Sequence, residues 1–179
     1  MQKKSMSELN RLTADETKEA QKHPIIVILD DIRSMHNVGS IFRSSDAFAV
    51  TSISLCGYTP TPPHRDINKT ALGATETVAW EHFGTTVEAI NAAKNLGYQV
   101  AAIEQTHGSK SLETIKLSAD SKIAVVLGNE VTGVCEEAIA ASDFYIEIPQ
   151  WGAKHSLNVS VTAGVVLWEL AKQFAFKQT

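Results

Sequence analysis

Three short segments of this chain set amide, hydroxyl and charged side chains beside glycines against an apolar background. The first is His36-Asn37-Val38-Gly39-Ser40-Ile41-Phe42-Arg43, just after an apolar run and Asp30-Asp31. Asn37 has the character of a helix N-cap, and Gly39 allows close backbone approach. Arg43 projects from an otherwise apolar helix and needs an anion, either a carboxylate of Asp30, Asp31 or Asp46, or a phosphate. The second is Leu127-Gly128-Asn129-Glu130-Val131-Thr132-Gly133. There Gly128 would let a flat ligand reach the backbone, and Glu130 either accepts hydrogen bonds from a ligand or favours a helix start through the dipole. The third runs from Ile148-Pro149 through Gly152 to Ser156-Leu157-Asn158-Val159-Ser160-Val161. Burying that many polar groups is costly unless they find partners, so the segment suits a small polar ligand better than a plain loop.

The elements that must position these groups are legible in the apolar pattern. Short β-branched runs at Ile25–Leu29, Ser52–Cys56, Gln99–Ile103, Ile123–Leu127 and Phe144–Ile148 read as buried strands, with Thr77–Trp80 a weaker candidate. Helical patterns lie between them, at Val38–Phe48, Thr86–Leu96, Glu136–Ala141 and Leu157–Phe176. Strands alternating with helices predict an α/β fold with a mainly parallel sheet. Each polar segment then follows a strand, and ligands of such sheets bind at the carboxyl ends of the strands. Residues 1–23 are polar and of mixed charge, a helical extension that docks loosely or a basic arm; residues 24–179 form one domain. Gly57 to Asp66, rich in proline and carrying Tyr58, His64 and Arg65 with Lys69 behind, is either a stiff connection or a lip that touches substrate.

Composition narrows the classes. A chain of 179 residues with 44% hydrophobic content can bury a real core, and no run approaches the length of a membrane span. No signal-like segment opens it, so a cytoplasmic location is expected. Cys56 and Cys135 read as reduced core thiols. The net charge of −4 speaks mildly against nucleic acid as a partner but leaves room for a local basic patch. A Gly-x-Gly-x-x-Gly loop, a P-loop, a Gly-x-Ser-x-Gly elbow and a metal-ligand spacing among the six histidines are all missing, so no metal is expected.

Together the three segments, in this order and spacing, resemble the SpoU (TrmH-type) family of RNA ribose 2′-O-methyltransferases of the SPOUT superfamily, over about residues 24–176. The resemblance implies an α/β domain with a C-terminal trefoil knot, a homodimer, S-adenosylmethionine as cofactor, and structured RNA (tRNA or rRNA) as substrate. By position it implies cofactor contacts from Glu104, Gln105, Thr106, Leu127, Gly128, Ile148, Ser156 and Leu157. It implies a catalytic group of Arg43, Asn37, Glu130, Ser156 and Asn158, with Arg43 helping to deprotonate the ribose hydroxyl. A guanidinium is protonated far above neutral pH, so orienting the hydroxyl and stabilising the developing alkoxide is the alternative to a literal base. His64, Arg65 and Lys69 are expected to meet RNA. Trp151 stands where the family more often has Met, and either stacks or packs. An RNA-binding or ribosome-assembly protein that has lost catalysis is the competing reading; the retained polar set opposes it.

Overall fold

The computed structural model describes residues 16–17, 20–153 and 156–176. Most of the extension expected over 1–23 lies outside these residues, and His23 already opens the first strand. The elements follow in order: β1 (His23–Asp30), α1 (Met35–Ala47), β2 (Val50–Cys56), α2 (Arg65–Ala71), α3 (Ala74–Thr77), β3 (Ala79–Phe83), α4 (Thr86–Asn95), β4 (Gln99–Ile103), β5 (Lys110–Ser111), β6 (Ile123–Leu127), α5 (Glu136–Ala141), β7 (Phe144–Glu147) and α6 (Val159–Ala175). The strands form one seven-stranded sheet in the order β3-β2-β1-β6-β4-β7-β5, with every pairing parallel. The α/β parallel architecture expected from the sequence is therefore present.

The unbroken apolar runs have a simple cause. β1 and β6 sit in the middle of the sheet, covered on both faces, so neither needs a polar alternation. Ile25, Val27 and Leu29 join the core under α1 and α6; Ile26 and Ile28 join the opposite core under α4 and α5. α4 starts with a capping box, Thr85 and Glu88 each holding the other's backbone N–H. α1 and α2 cross closely at Gly39, where a Cβ would fall 2.2 Å from Ile67 O. That is the close approach expected of Gly39. No helix among the described residues is long and apolar enough to cross a membrane.

The departures from the sequence reading are local. α1 begins earlier than expected because Ser34, not Asn37, is its N-cap: the Ser34 hydroxyl accepts from Asn37 N at 3.3 Å. Asn37 therefore lies inside the first turn, with its side chain free for another task. The proline-rich segment ends in a helix, where His64 Nδ1 accepts from Asp66 N and caps α2, so Arg65 and Lys69 are helical. The short helix α3 displaces the weak strand from Thr77–Trp80 to Ala79–Phe83. α6 begins only at Val159, leaving Ser156 and Asn158 ahead of it, Asn158 as its N-cap. Cys56 is buried as expected, but Cys135 is exposed at the start of α5.

Candidate active site

A parallel sheet places all its carboxyl ends on one edge, and the order β1-β6-β4-β7 makes the ends of those four strands neighbours. A cavity of about 840 Å³ opens there. All eight residues expected at a cofactor line it: Glu104, Gln105 and Thr106 after β4, Leu127 and Gly128 at the end of β6, Ile148 after β7, and Ser156 and Leu157 before α6. Glu130 and Asn158 line it too; Asn37 and Arg43 do not. The Thr106 hydroxyl is buried without a hydrogen-bond partner, a costly state unless a ligand satisfies it.

Glu130 joins the three sequence segments. Its carboxylate accepts from Arg33 N (3.0 Å), from Ser34 N (3.1 Å) and from the Asn37 side-chain amide (2.9 Å). Asn37 Oδ1 in turn accepts from Asn158 Nδ2 at 3.2 Å, and Asn158 Oδ1 accepts from Ser160 N and Oγ at 2.9 and 2.7 Å. Partial burial pushes the Glu130 carboxyl up, but the hydrogen bonds from Arg33, Asn37 and Ser34 outweigh it and hold the group below the ordinary glutamate range. Glu130 does serve a helix start, but that of α1 rather than the helix next in sequence.

The glycine two residues before it has a cause within the protein's own backbone. A Cβ on Gly128 would fall 2.2 Å from Gly133 C and Val134 N, because the chain folds back on itself there. Asn129 and Gly133 exchange backbone hydrogen bonds of 2.9 and 3.0 Å, and Glu104 Oε2 accepts from Val134 N at 3.1 Å. Glycine at 128 is thus required by the protein's own backbone. The Asn129 side chain donates to Asp31 O at 2.6 Å, which ties this turn to the end of β1. Neither this strut nor the one from Glu104 has a sequence signal, since each pairs residues distant in the chain.

Arg43 is in the opposite situation. It lies exposed on the outer side of α1 and has no ion-pair partner among the described residues. The aspartates that could have neutralised it are engaged elsewhere: Asp30 with Thr86 Oγ1 and Cys135 N, Asp31 with Tyr58 N, Asp46 with Thr77 Oγ1. Of the three residues expected at RNA, Arg65 is exposed, His64 caps α2, and Lys69 is paired with Asp66 at 2.6 Å. The Lys69 hydrogen bond holds the Asp66 carboxyl below its usual range. Lys69 therefore offers RNA less than a free lysine would.

Comparison with known proteins decides the family, because the model of the SpoU rRNA methylase family matches residues 24–168. The chain belongs to the SpoU family. A Staphylococcus aureus protein assigned to the TrmH family of tRNA/rRNA methyltransferases is 30% identical over 156 residues, 87% of this chain and 62% of that protein. The chain thus spans less than two thirds of the length of such relatives. Among solved structures, the A. aeolicus TrmH/SpoU tRNA modifying enzyme superposes with a TM-score of 0.78 at 28% identity, covering 90% of this chain and 80% of that one. An AdoMet-bound rRNA methyltransferase from Sinorhizobium meliloti gives 0.76 at 26% identity, covering 88% and 59%.

Within this SpoU-family chain the charge of the cavity is one-sided. Glu104, Glu130 and Glu147 line it, and its described lining contains no Lys or Arg. Such a wall favours a cationic ligand and disfavours a phosphate-rich one.

Proposed function

We propose that this protein methylates a ribose 2′-hydroxyl of tRNA or rRNA with S-adenosylmethionine as methyl donor. The observation that carries the reading is the cavity at the carboxyl edge: three carboxylates, no described basic residue, and a buried Thr106 hydroxyl in need of a partner. These groups fit a ligand that bears a sulfonium and an ammonium, with a ribose and a base to hydrogen-bond. When bound, S-adenosylmethionine supplies an electrophilic methyl group. The chain's own residues do the rest. Residues 104–106, 127–128, 148 and 156–157 hold the ligand, and the Glu130–Asn37–Asn158 network fixes the loops that shape its mouth. Arg43, a cation with no internal partner among the described residues, orients the hydroxyl and stabilises the alkoxide as the hydroxyl proton passes to solvent water. Proximity supplies much of the rate, since methyl transfer needs alignment more than proton traffic.

Arg43 lies outside the cavity of its own chain, and the reading therefore includes a second copy. Val161, Val165 and Trp168 form an exposed apolar stripe on α6, and Trp168 meets Phe48 at the end of α1 with ring centroids 6.0 Å apart. A homodimer across α1 and α6 would cover this stripe and bring Arg43 into a shared site. The reading also carries the C-terminal trefoil knot. The segment such a knot would involve is held against α6, where Gln173 accepts from Leu117 N at 2.9 Å and donates to Ile115 O at 3.1 Å. Arg65, with weaker help from His64 and Lys69, would bind RNA phosphates, in keeping with a cytoplasmic enzyme.

The deciding experiment incubates the protein with radiolabelled S-adenosylmethionine and unmodified total RNA, followed by digestion to nucleosides. Label in 2′-O-methylnucleosides is expected. Cofactor binding with no transfer to any RNA would overturn catalysis in favour of a binding-only protein.

A further inference from the structure

A second cavity, of about 610 Å³, lies beside the first on the same edge of the sheet, over the ends of β1 and β2 and the start of α4. Its lip is Tyr58, whose side chain is almost bare at 89% exposure. The backbone beneath that ring is pinned. Tyr58 N donates to Asp31 Oδ1 at 2.7 Å, Gly57 N to Phe83 O at 3.0 Å and Thr59 N to Cys56 O at 3.0 Å. His82 Nε2 lies 3.0 Å from Gly57 O. Gly57 adopts φ +58°, and a Cβ there would collide with Asp31 Oδ1. An exposed aromatic ring on a fixed backbone is preorganised to receive a flat partner.

The polar groups below the ring divide in two. Asp30 is fully engaged, by Thr86 Oγ1 and Cys135 N. Asp31 Oδ2 and the Glu137 carboxylate have no hydrogen-bond partner among the described residues, so the cavity offers acceptors to a ligand that donates. The place is tied to the active site. Asp31, which holds Tyr58, also accepts from Asn129, the neighbour of Glu130. Arg33 follows two residues later, exposed and without an ion-pair partner among the described residues, its N–H held by Glu130.

We propose that this cavity takes an unpaired nucleobase of the substrate RNA close to the methylated nucleotide, stacked on Tyr58, with its amino group held by Asp31 and Glu137 and its phosphate kept outside the acidic cavity, toward Arg33. The inference rests on the RNA methyltransferase reading and sharpens it. The substrate is a single-stranded loop rather than a duplex, because only an unstacked base exposes its face and edge. Adenine, cytosine and guanine carry the amino group that carboxylates accept. Uracil, with carbonyls on both sides of its one N–H, is disfavoured.

The test measures binding of labelled oligoadenylate and oligouridylate to the full chain at fixed salt, beside methyl transfer to unmodified RNA. Tyr58→Ala is expected to weaken oligoadenylate binding about tenfold, the scale of one base–aromatic stack. Tyr58→Phe should stay within about twofold of wild type, and Glu137→Gln should narrow the preference for oligoadenylate over oligouridylate. Cofactor affinity should be the same in all three. Unchanged binding and unchanged KM for RNA in Tyr58→Ala, in a protein that methylates RNA, would overturn the base site alone. A wild-type protein that binds cofactor but neither binds nor methylates RNA would overturn both this inference and the function beneath it.

Discussion

Glu130 and Arg43 were both marked by the sequence as site residues, yet the protein treats them in opposite ways. The Glu130 carboxylate takes three hydrogen bonds and passes its order on through Asn37 to Asn158. Arg43 has no such partner among the described residues and stands exposed on the outer side of α1. A polar group whose bonds are all internal builds the site; one left unpaired outside it is open to a partner or a substrate. The first kind should cost stability when removed, the second rate. The most direct attempt to break the distinction is Arg43→Ala. Methyl transfer should fall about 10²–10³-fold, the usual loss when one donor to a developing oxyanion is removed. Thermal stability and cofactor affinity should hardly move, because an exposed unpaired side chain contributes little to either. A matching loss of stability would put Arg43 in the framework with Glu130 and erase the contrast.

The framework side is tested next at Gly128. Its missing Cβ would press on the backbone of Gly133 and Val134, and that backbone is held by the Asn129–Gly133 hydrogen bonds and by Glu104. Nothing flexible can give way. Gly128→Ala should therefore destabilise the protein by about 2–3 kcal/mol in urea unfolding, the upper range for overpacking. Full stability with weakened cofactor binding would mean that the ligand, not the chain, demands glycine here.

Gly128 also shows what a sequence can and cannot convey. The strands were legible because β1 and β6 are buried on both faces and declare it with unbroken apolar runs. The edge that carries the cavity was legible from the polar segments at the strand ends, and its individual lining residues through the family resemblance. The reasons behind individual residues were not. Gly128 answers to Gly133 across a fold-back, and Glu130 caps a helix that begins far upstream. Asn37 was mistaken for a cap because Ser34, three residues earlier, offers the same chemistry. Short elements were missed for want of a period: two residues make β5, and α2 follows prolines that suggested only a loop. Partners distant in the chain leave no local trace.

The smallest effect sharpens the comparison most finely, because its pH dependence follows the titration of Glu130. Its folded carboxyl titrates below the ordinary value of 4.5, so the stability it lends is fully present above that pH and is lost as pH falls through the lower folded value. Glu130→Gln keeps the shape but removes the charge and replaces one of the two acceptor oxygens, both of which accept from N–H groups, with a donor. The wild-type protein should be more stable than this variant by about 1 kcal/mol near neutrality, a modest figure because the carboxylate is partly exposed and screened. The gap should close as the pH is taken below 4.5. Asp66 and Asp143 are also lowered, by Lys69 and Lys94 among other contacts, and tilt both proteins in the same direction, so only the difference between the two is informative. Melting curves of the pair between neutrality and strong acid measure it. The absence of any gap, from neutrality to strong acid, would mean that Glu130 acts through its shape alone. The carboxylate would then be no more than a spacer between β6 and α1, and the distinction from Arg43 would have to rest on Asn37 and Asn158.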